Sequence, residues 1–317
     1  MTEFILRRMV FSAVVLVVIS ILIFVMMRLI PGSPAVVAYG ADVTKEQIQE
    51  FEHNHGLDQP VSLQYLRWIS GVMLRGDFGK SFVTDRPISP EVAHAFSVTL
   101  ELVVWGFGLT IGLAVPLGII SATRSGGLLD HVSRIFAVVG VSVPGFWLGL
   151  MLIVYGAVRL RWFPAGGIVP PSQGLFQHLW SLLLPALSLG IYYMAIISRM
   201  MRSTLLEALS QDYVRTARAM GLSPRRVLVY ALKNALIPVV SVSVMAIGFM
   251  FGSAIVIERV FDIGGISHSL LSAIFQRDYN TVQAVVLIIT AIFVLSNMIA
   301  DILYGCLNPK ISFVRQR

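Results

Sequence analysis

The chain has 317 residues, of which 56% are apolar and 13% charged, and its net charge is +7. A mean hydropathy of +0.80 puts it outside the range of soluble globular domains and excludes a water-soluble enzyme or binding module. The single cysteine, Cys306, excludes an internal disulfide framework and reads as a small apolar filler near the last apolar run.

Six charge-free runs are long enough to cross about 30 Å of hydrocarbon as helices. They are Met9–Met27, Leu102–Thr123, Ile135–Val158, Leu179–Ser198, Ala235–Ile257 and Val282–Ala300. None alternates in polarity as a transmembrane strand would. The expected fold is therefore all-α integral membrane, with six transmembrane helices. The basic residues follow the same division. With the N-terminus inside, fourteen Lys and Arg fall in inner segments and four in the short outer ones. That asymmetry predicts both termini in the cytoplasm, and it explains the positive charge without nucleic acid.

Residues 1–30 carry Arg7 and Arg8 before an apolar run too long for a signal-peptide core, so they read as an uncleaved first span. Residues 31–96 form the largest polar segment, expected outside. Within it, Thr44-Lys45-Glu46-Gln47 reads as a capping box for a helix ending near Gly56. A second helix is predicted over Leu63–Leu74, with Leu66, Trp68, Ile69 and Met73 available for burial. The segment is either a docking surface or a lid on the bundle. Gly79-Lys80-Ser81 lacks the upstream glycine of a phosphate-binding loop, since position 74 is Leu74. His53-x-His55 is too sparse for a metal site, and no metal ligand set is expected.

Glu101 stands near the outer end of the second run. Gly106, Gly108, Gly112, Pro116 and Gly118 then favour close helix approach along it. The third run contains Ser142-Val143-Pro144-Gly145-Phe146-Trp147, where the proline predicts a kink that either shapes a pathway or serves packing. A Pro- and Gly-rich loop follows, with Trp162 and Trp180 as candidate interfacial anchors.

The stretch Ser210–Pro238 is a polar, basic island between the fourth and fifth runs. Tyr213, Ala217 and Met220 recur at helical spacing and predict one narrow apolar stripe, with Asp212, Arg215 and Arg218 mostly off it. Gly221 occupies the position of a left-handed helix end, and Ser223-Pro224 reads as N-cap and first residue of the next helix. Such a helix either docks a partner or lies at the headgroups.

Asp212-Tyr213-Val214-Arg215-Thr216-Ala217-Arg218-Ala219-Met220-Gly221, followed by Asn234-Ala235-Leu236-Ile237-Pro238, resembles the ATPase-coupling loop of ABC importer permeases. More narrowly it resembles the first permease type of the dipeptide/oligopeptide/nickel family. Arg215-Thr216-Ala217 occupy the Glu-Ala-Ala triplet and Gly221 the glycine, while Met220 departs from the lysine usual in the peptide branch. Similar motifs run through Arg28–Pro34, His55–Pro60, Gly76–Gly79 and Ser142–Trp147. They continue through Glu258–Ile266, Arg277–Tyr279, Asp301–Tyr304 and Asn308–Ile311. Gly264-Gly265 stands where the family usually has Pro-Gly, and Ser267 where it has Gly.

The resemblance implies a type I ABC importer transmembrane domain in a bacterial inner membrane. Residues 1–30 would be the first helix, 31–96 the extracytoplasmic segment and 306–317 a cytoplasmic tail. Residues 97–305 would form the core, with spans near 97–123, 135–158, 179–199, 235–257 and 282–304 and a coupling loop at 200–234. It implies Asp212, Tyr213, Arg215, Thr216, Ala217, Arg218 and Gly221 as the ATPase-coupling residues. The implied partners are a second homologous permease, one or two ABC ATPases, an extracytoplasmic solute-binding protein and membrane lipid. ATP and Mg²⁺ would bind the ATPases, and no cofactor this chain.

The expected role is import of di- or oligopeptides, with nickel or a metal chelate as the alternative cargo. An ion-coupled carrier is the competing class, but its usual Asp, Glu, Lys or His at mid-depth is missing from the six runs. An intramembrane enzyme would need ligands or bases converging on Ser142, Ser188 or Ser243, and the runs contain no His or Asp.

Overall fold

The computed structural model describes residues 2–30, 32–40 and 42–307. Its helices are α1 (Thr2–Leu29), α2 (Pro34–Tyr39), α3 (Lys45–Asn54), α4 (Val61–Arg75), α5 (Ile88–Thr123) and α6 (Leu128–Ser142). They continue as α7 (Gly145–Leu152), α8 (Leu175–Ser210), α9 (Asp212–Ala219), α10 (Pro224–Val260), α11 (Ile266–Phe275) and α12 (Tyr279–Leu307). A π-helical turn, Ile153–Arg159, extends α7. Among the described residues there is no β-strand, only an isolated bridge between Lys80 and Pro87. Of the tail expected from residue 306, the first two residues belong to α12; the rest, with Asn308–Ile311, lies outside the described residues.

Five helices are long and apolar enough to cross a membrane, and a sixth crossing results if α6 and α7 are counted as one. α8 is the axis of the bundle. Most of its apolar window is buried, whereas α1 exposes Met9, Phe11, Val14 and Val18 to the surroundings. The core around α8 is drawn from α5 and α10, with Leu102, Leu182, Ile197, Met201 and Met250 almost wholly enclosed.

Glycine permits the closest of these approaches. A Cβ on Gly118 of α5 would lie 2.6 Å from the Met201 Cβ and 2.7 Å from the Ser198 carbonyl oxygen. Gly106 also faces α8, but Gly108 and Gly112 have nothing within 4 Å, so the expected small-residue contact line is narrower than the sequence suggests.

Three boundaries differ from expectation. The membrane helices overrun their charge-free runs; α5 and α8 are each 36 residues and α10 is 37. The kink expected at Pro144 is instead a break, with the two halves of the span bent by 103°. Val143 is extended and Pro144 caps α7, which fits the exclusion of helical geometry before proline. The loop expected between the last two spans contains α11. Its Ile266, Leu270 and Ala273 are buried against α5 and α12.

Residues 32–87 sit at the end of the bundle opposite α9. The capping box forms as read, with the Thr44 hydroxyl accepting from the Gln47 N–H at 3.3 Å and Gln47 Oε1 accepting from the Thr44 N–H at 3.0 Å. Ala35, Phe51 and Phe82 make a small core with Tyr279 of α12. The Phe82 N–H donates to Asp278 at 3.1 Å. In α4 no residue is fully buried: Leu66 is 59% and Met73 77% exposed, contrary to the burial expected of them. α4 instead uses Tyr65 and Trp68, which pack on Phe24 of α1 at ring distances of 5.5 and 5.7 Å. Trp162 and Trp180 meet directly, the Trp180 indole donating to the Trp162 carbonyl oxygen at 2.7 Å.

Candidate functional site: an amphipathic helix between two bundle helices

α8 ends at Ser210, a single extended residue, Gln211, turns the chain, and α9 begins at Asp212. Asp212 in the first turn complements the helix dipole, and Arg218 does so in the last. The apolar anchor is Val214, which is 0% exposed and lies in the main core with Leu205, Ala208 and Val227. Ala217, one turn on, is half-buried against the same core. Val214 and Ala217 therefore face the chain's own bundle, at the i, i+3 spacing that shares a helix face.

This corrects the stripe read from Tyr213, Ala217 and Met220. Tyr213 is 39% and Met220 74% exposed, so they lie at the open edge of the face that Val214 and Ala217 bury. Asp212, Arg215, Thr216 and Arg218 are exposed as well. The Arg215–Asp212 ion pair, at 3.5 Å between side chains 77% and 95% exposed, contributes little to holding the helix. The Thr216 hydroxyl donates to the Asp212 carbonyl oxygen at 3.1 Å. The helix thus offers a solvent-facing surface of one aromatic, one methionine and several charges.

The turn out of α9 is specific. The Leu222 N–H donates to the Ala217 carbonyl oxygen at 3.2 Å and the Gly221 N–H to that of Arg218 at 3.0 Å, the paired bonds of a Schellman end. Gly221 has φ +78°, which an L side chain adopts only with strain, although no atom within 4 Å would obstruct a Cβ there. Ser223 occupies the N-cap position and Pro224 the first helical residue of α10, as the sequence indicates, but the serine hydroxyl makes no capping bond. α9 is thereby clamped between the ends of two helices that cross the bundle.

Sequence reasoning missed three polar ties inside the bundle. Asp130 of α6 is buried and takes Arg202 of α8 in a bidentate pair, at 2.6 and 2.9 Å. It also accepts from the Ser121 hydroxyl at 2.6 Å and the Gly126 N–H at 2.9 Å. At the opposite end, Glu258 of α10 is wholly enclosed and accepts from Thr99, at 2.5 Å, and from both the N–H and hydroxyl of Ser267. His178, also buried, donates through Nδ1 to the Val169 carbonyl oxygen at 2.6 Å and bonds Glu101 through Nε2. The partners are 72, 159 and 77 residues apart, so no local pattern announces them.

The other motifs resolve into structural roles. Lys80 of Gly79-Lys80-Ser81 pairs with Asp85 at 3.3 Å in a tight turn, where the Ser81 N–H donates to the Arg86 carbonyl oxygen. His53 bonds Asp58 at 2.9 Å, and His55 stacks on Phe51 at 4.1 Å. Among the described residues no group of three or more His, Cys, Asp or Glu is placed to hold a metal. Nothing at α9 resembles a catalytic constellation; the arrangement there suits docking.

The sequence matches the family described as binding-protein-dependent transport system inner membrane component over residues 114–313. The N-terminal domain of such membrane components matches over residues 1–103. A probable peptide ABC transporter permease protein, y4tP of Sinorhizobium fredii, is 36% identical over 314 residues, 99% of this chain and all of the relative. The oligopeptide transport system permease protein AppB of Bacillus subtilis is 35% identical over 317 residues, again 99% of this chain and all of that protein. The glutathione transport system permease protein GsiC of Salmonella paratyphi A is 35% identical over 314 residues, with the same coverage. The match makes this chain a permease component rather than an enzyme, and its five or six membrane-crossing helices make it a multi-pass protein of the bacterial inner membrane. With both matches covering nearly the whole chain and full-length relatives above one-third identity, the protein belongs to the peptide-type ABC permeases, the inner-membrane components of binding-protein-dependent transport systems.

Proposed function

We propose that this chain forms half of the translocation pathway of an ATP-driven importer for di- or oligopeptides, with α9 as the helix that receives the stroke of the ATPase. Membership in a binding-protein-dependent family implies an ATPase and a substrate-binding protein as partners. The observation that carries the reading is the exposed face of α9, with Tyr213 and Met220 outward and Val214 anchored in the bundle. A push on a helix held this way passes to α8 and α10. Closure of an ATPase dimer on ATP and Mg²⁺ would then rock the spans between inward- and outward-open states. In this reading the α9 end and both termini are cytoplasmic, in keeping with the excess of Lys and Arg there. The end carrying residues 32–87 would receive the solute-binding protein, and a second homologous permease would complete the pathway. The exposed apolar surface of α1 would face lipid.

Peptide cargo is supported by the names of the relatives, two of them peptide or oligopeptide permeases and one for glutathione, itself a small peptide. The test is affinity purification from native membranes, with every co-purifying chain identified. A second six-span permease and ATPases, lost in Gly221→Arg while this subunit stays abundant, is the expected result. Purification alone, with uptake driven by an ion gradient in liposomes, would overturn it. Uptake of labelled di- and oligopeptides in the presence of excess glutathione or nickel then assigns the cargo.

A further inference from the structure

Between the end of α1, α4, the 76–82 turn and the start of α12 lies a cavity of about 300 Å³. Six buried side-chain polar atoms lack a hydrogen-bond partner among the described residues, and five belong to side chains lining this one cavity. They are Arg28 Nε, Gln64 Oε1, Trp68 Nε1 and both amide atoms of Gln283. Gln283 is 0% exposed, so its amide has no recourse to bulk water. Orphaned polar atoms are rare and costly, and five on side chains that line one void are a feature that an occupant there would relieve.

The chemistry of the lining narrows that occupant. Arg28 and Arg67 have no carboxylate partner among the described residues, and Asp77 on the same wall already accepts from the Gly79 N–H at 2.8 Å. Free guanidinium groups and the N–H donors of Trp68 and Gln283 suit a phosphate, which accepts bidentate hydrogen bonds. The unmatched oxygens of Gln64 and Gln283 require donors, which hydroxyl groups supply.

The position narrows it further. Arg28 is in the last turn of α1 and stacks over Phe24 at 5.0 Å. Gln283 is one turn into α12. The cavity therefore lies at the boundary of the apolar layer. α4 runs beside the second half of α1, its Tyr65 hydroxyl 2.8 Å from that of Ser20, about 12 Å along the axis from Arg28. Leu63, Leu66 and Met73 on the outer side of α4 are exposed at helical spacing, a face that belongs in hydrocarbon.

We propose that the cavity holds a phosphate bearing a hydroxylated substituent, supplied by the headgroup of an anionic phospholipid such as phosphatidylglycerol in the adjoining leaflet. The phosphate lies against Arg28 and Arg67, the glycerol hydroxyls bond the Gln64 and Gln283 oxygens, and the acyl chains run along the exposed apolar sides of α1 and α4. Phosphatidylethanolamine fits poorly, because its ammonium group would sit among the arginines.

The assembled permease complex in nanodiscs of mixed phosphatidylglycerol and phosphatidylethanolamine provides the test, with tightly retained lipid extracted and quantified. Retained lipid should be enriched about tenfold in phosphatidylglycerol over bulk, the ratio expected from one charge-assisted contact. Arg67→Gln should return the ratio to bulk and Gln283→Leu should lower it; Arg67 is exposed, so its replacement leaves folding intact even if Gln283→Leu does not. No enrichment in the wild type, or enrichment that survives both variants, would overturn the proposal and leave a water-filled void. Displacement of the lipid by millimolar glycerol phosphate, with that ester alone binding the complex in phosphatidylcholine discs, would move the site to a soluble phosphate ester and overturn the lipid assignment.

Discussion

Thr99 of α5 donates its hydroxyl to the Glu258 carboxylate of α10 at 2.5 Å while accepting from the Ile266 N–H of α11 at 2.8 Å. One side chain thus joins three helices that meet far from α9. Glu258 only accepts in this network, and its second oxygen takes both donors of Ser267. Replacement by leucine strands the Ser267 N–H and should destabilise the fold by about 3 kcal/mol, read as a lower unfolding temperature in detergent. Glu258→Gln should be milder, about 1 kcal/mol, because the amide N–H can donate to Thr99, whose proton then turns to the Ala95 carbonyl oxygen 3.2 Å away. Equal damage from both variants would show that charge, not hydrogen-bond count, is what the site requires.

Gly118→Ala should prevent assembly of the bundle, because the new methyl would meet Met201 and the Ser198 carbonyl oxygen at 2.6 and 2.7 Å. Gly106→Ala meets the movable end of Met250 at 3.1 Å and should cost about 1 kcal/mol. Gly112→Ala should be neutral, having open space around it. Yields of folded protein by size-exclusion chromatography rank the three.

The Asp130–Arg202 pair predicts a double-mutant cycle of unusual sign. Arg202→Met alone leaves a buried carboxylate supported only by Ser121 and Gly126, a loss of about 3 kcal/mol. Adding Asp130→Asn should recover part of that loss, since the uncompensated charge is gone. Thermal unfolding of wild type, Arg202→Met, Asp130→Asn and the double variant measures the recovery and closes the cycle.

At α9 the two faces should separate cleanly. Val214→Asp puts a charge in the core and should lower the amount of folded protein, by about 3 kcal/mol of stability. Tyr213→Ala and Met220→Ala change only the outward face, so folding should be unaffected while ATPase recovery in pull-downs falls about tenfold. Ala217→Asp belongs with Val214, because Ala217 packs on the bundle. Wild-type ATPase recovery with both outward side chains removed would place the contact elsewhere.

The periodicities and punctuation of the sequence carried far into the fold. Long charge-free runs marked the crossings, Thr44 and Gln47 the capping box, and Gly221 the left-handed turn, since each depends on residues close in the chain. Val214 was overlooked because an eight-residue helix allows more than one apolar stripe, and only the packing of α8 and α10 selects among them. The 103° break at Pro144 was underestimated because proline specifies where a helix yields, whereas neighbours decide how far. Asp130 drew no notice and Glu258 stood out only as part of a family-like motif, their partners being fixed only when distant segments meet.

The contrast between α1 and α8 bears on how the chain enters the bilayer during synthesis. α1 is the most apolar of the long helices and exposes most of its surface, whereas α8 is the least apolar and the most enclosed. A segment like α1 leaves the translocon for lipid on its own affinity. α8 carries His178, several serines and Arg202 into the same environment, and its stable resting place exists only once α5 and α6 are there to meet those groups. The fourth crossing, apolar enough to enter the bilayer alone, is thereby fixed in place only by the second and third, an order of assembly written into polarity rather than into any targeting signal.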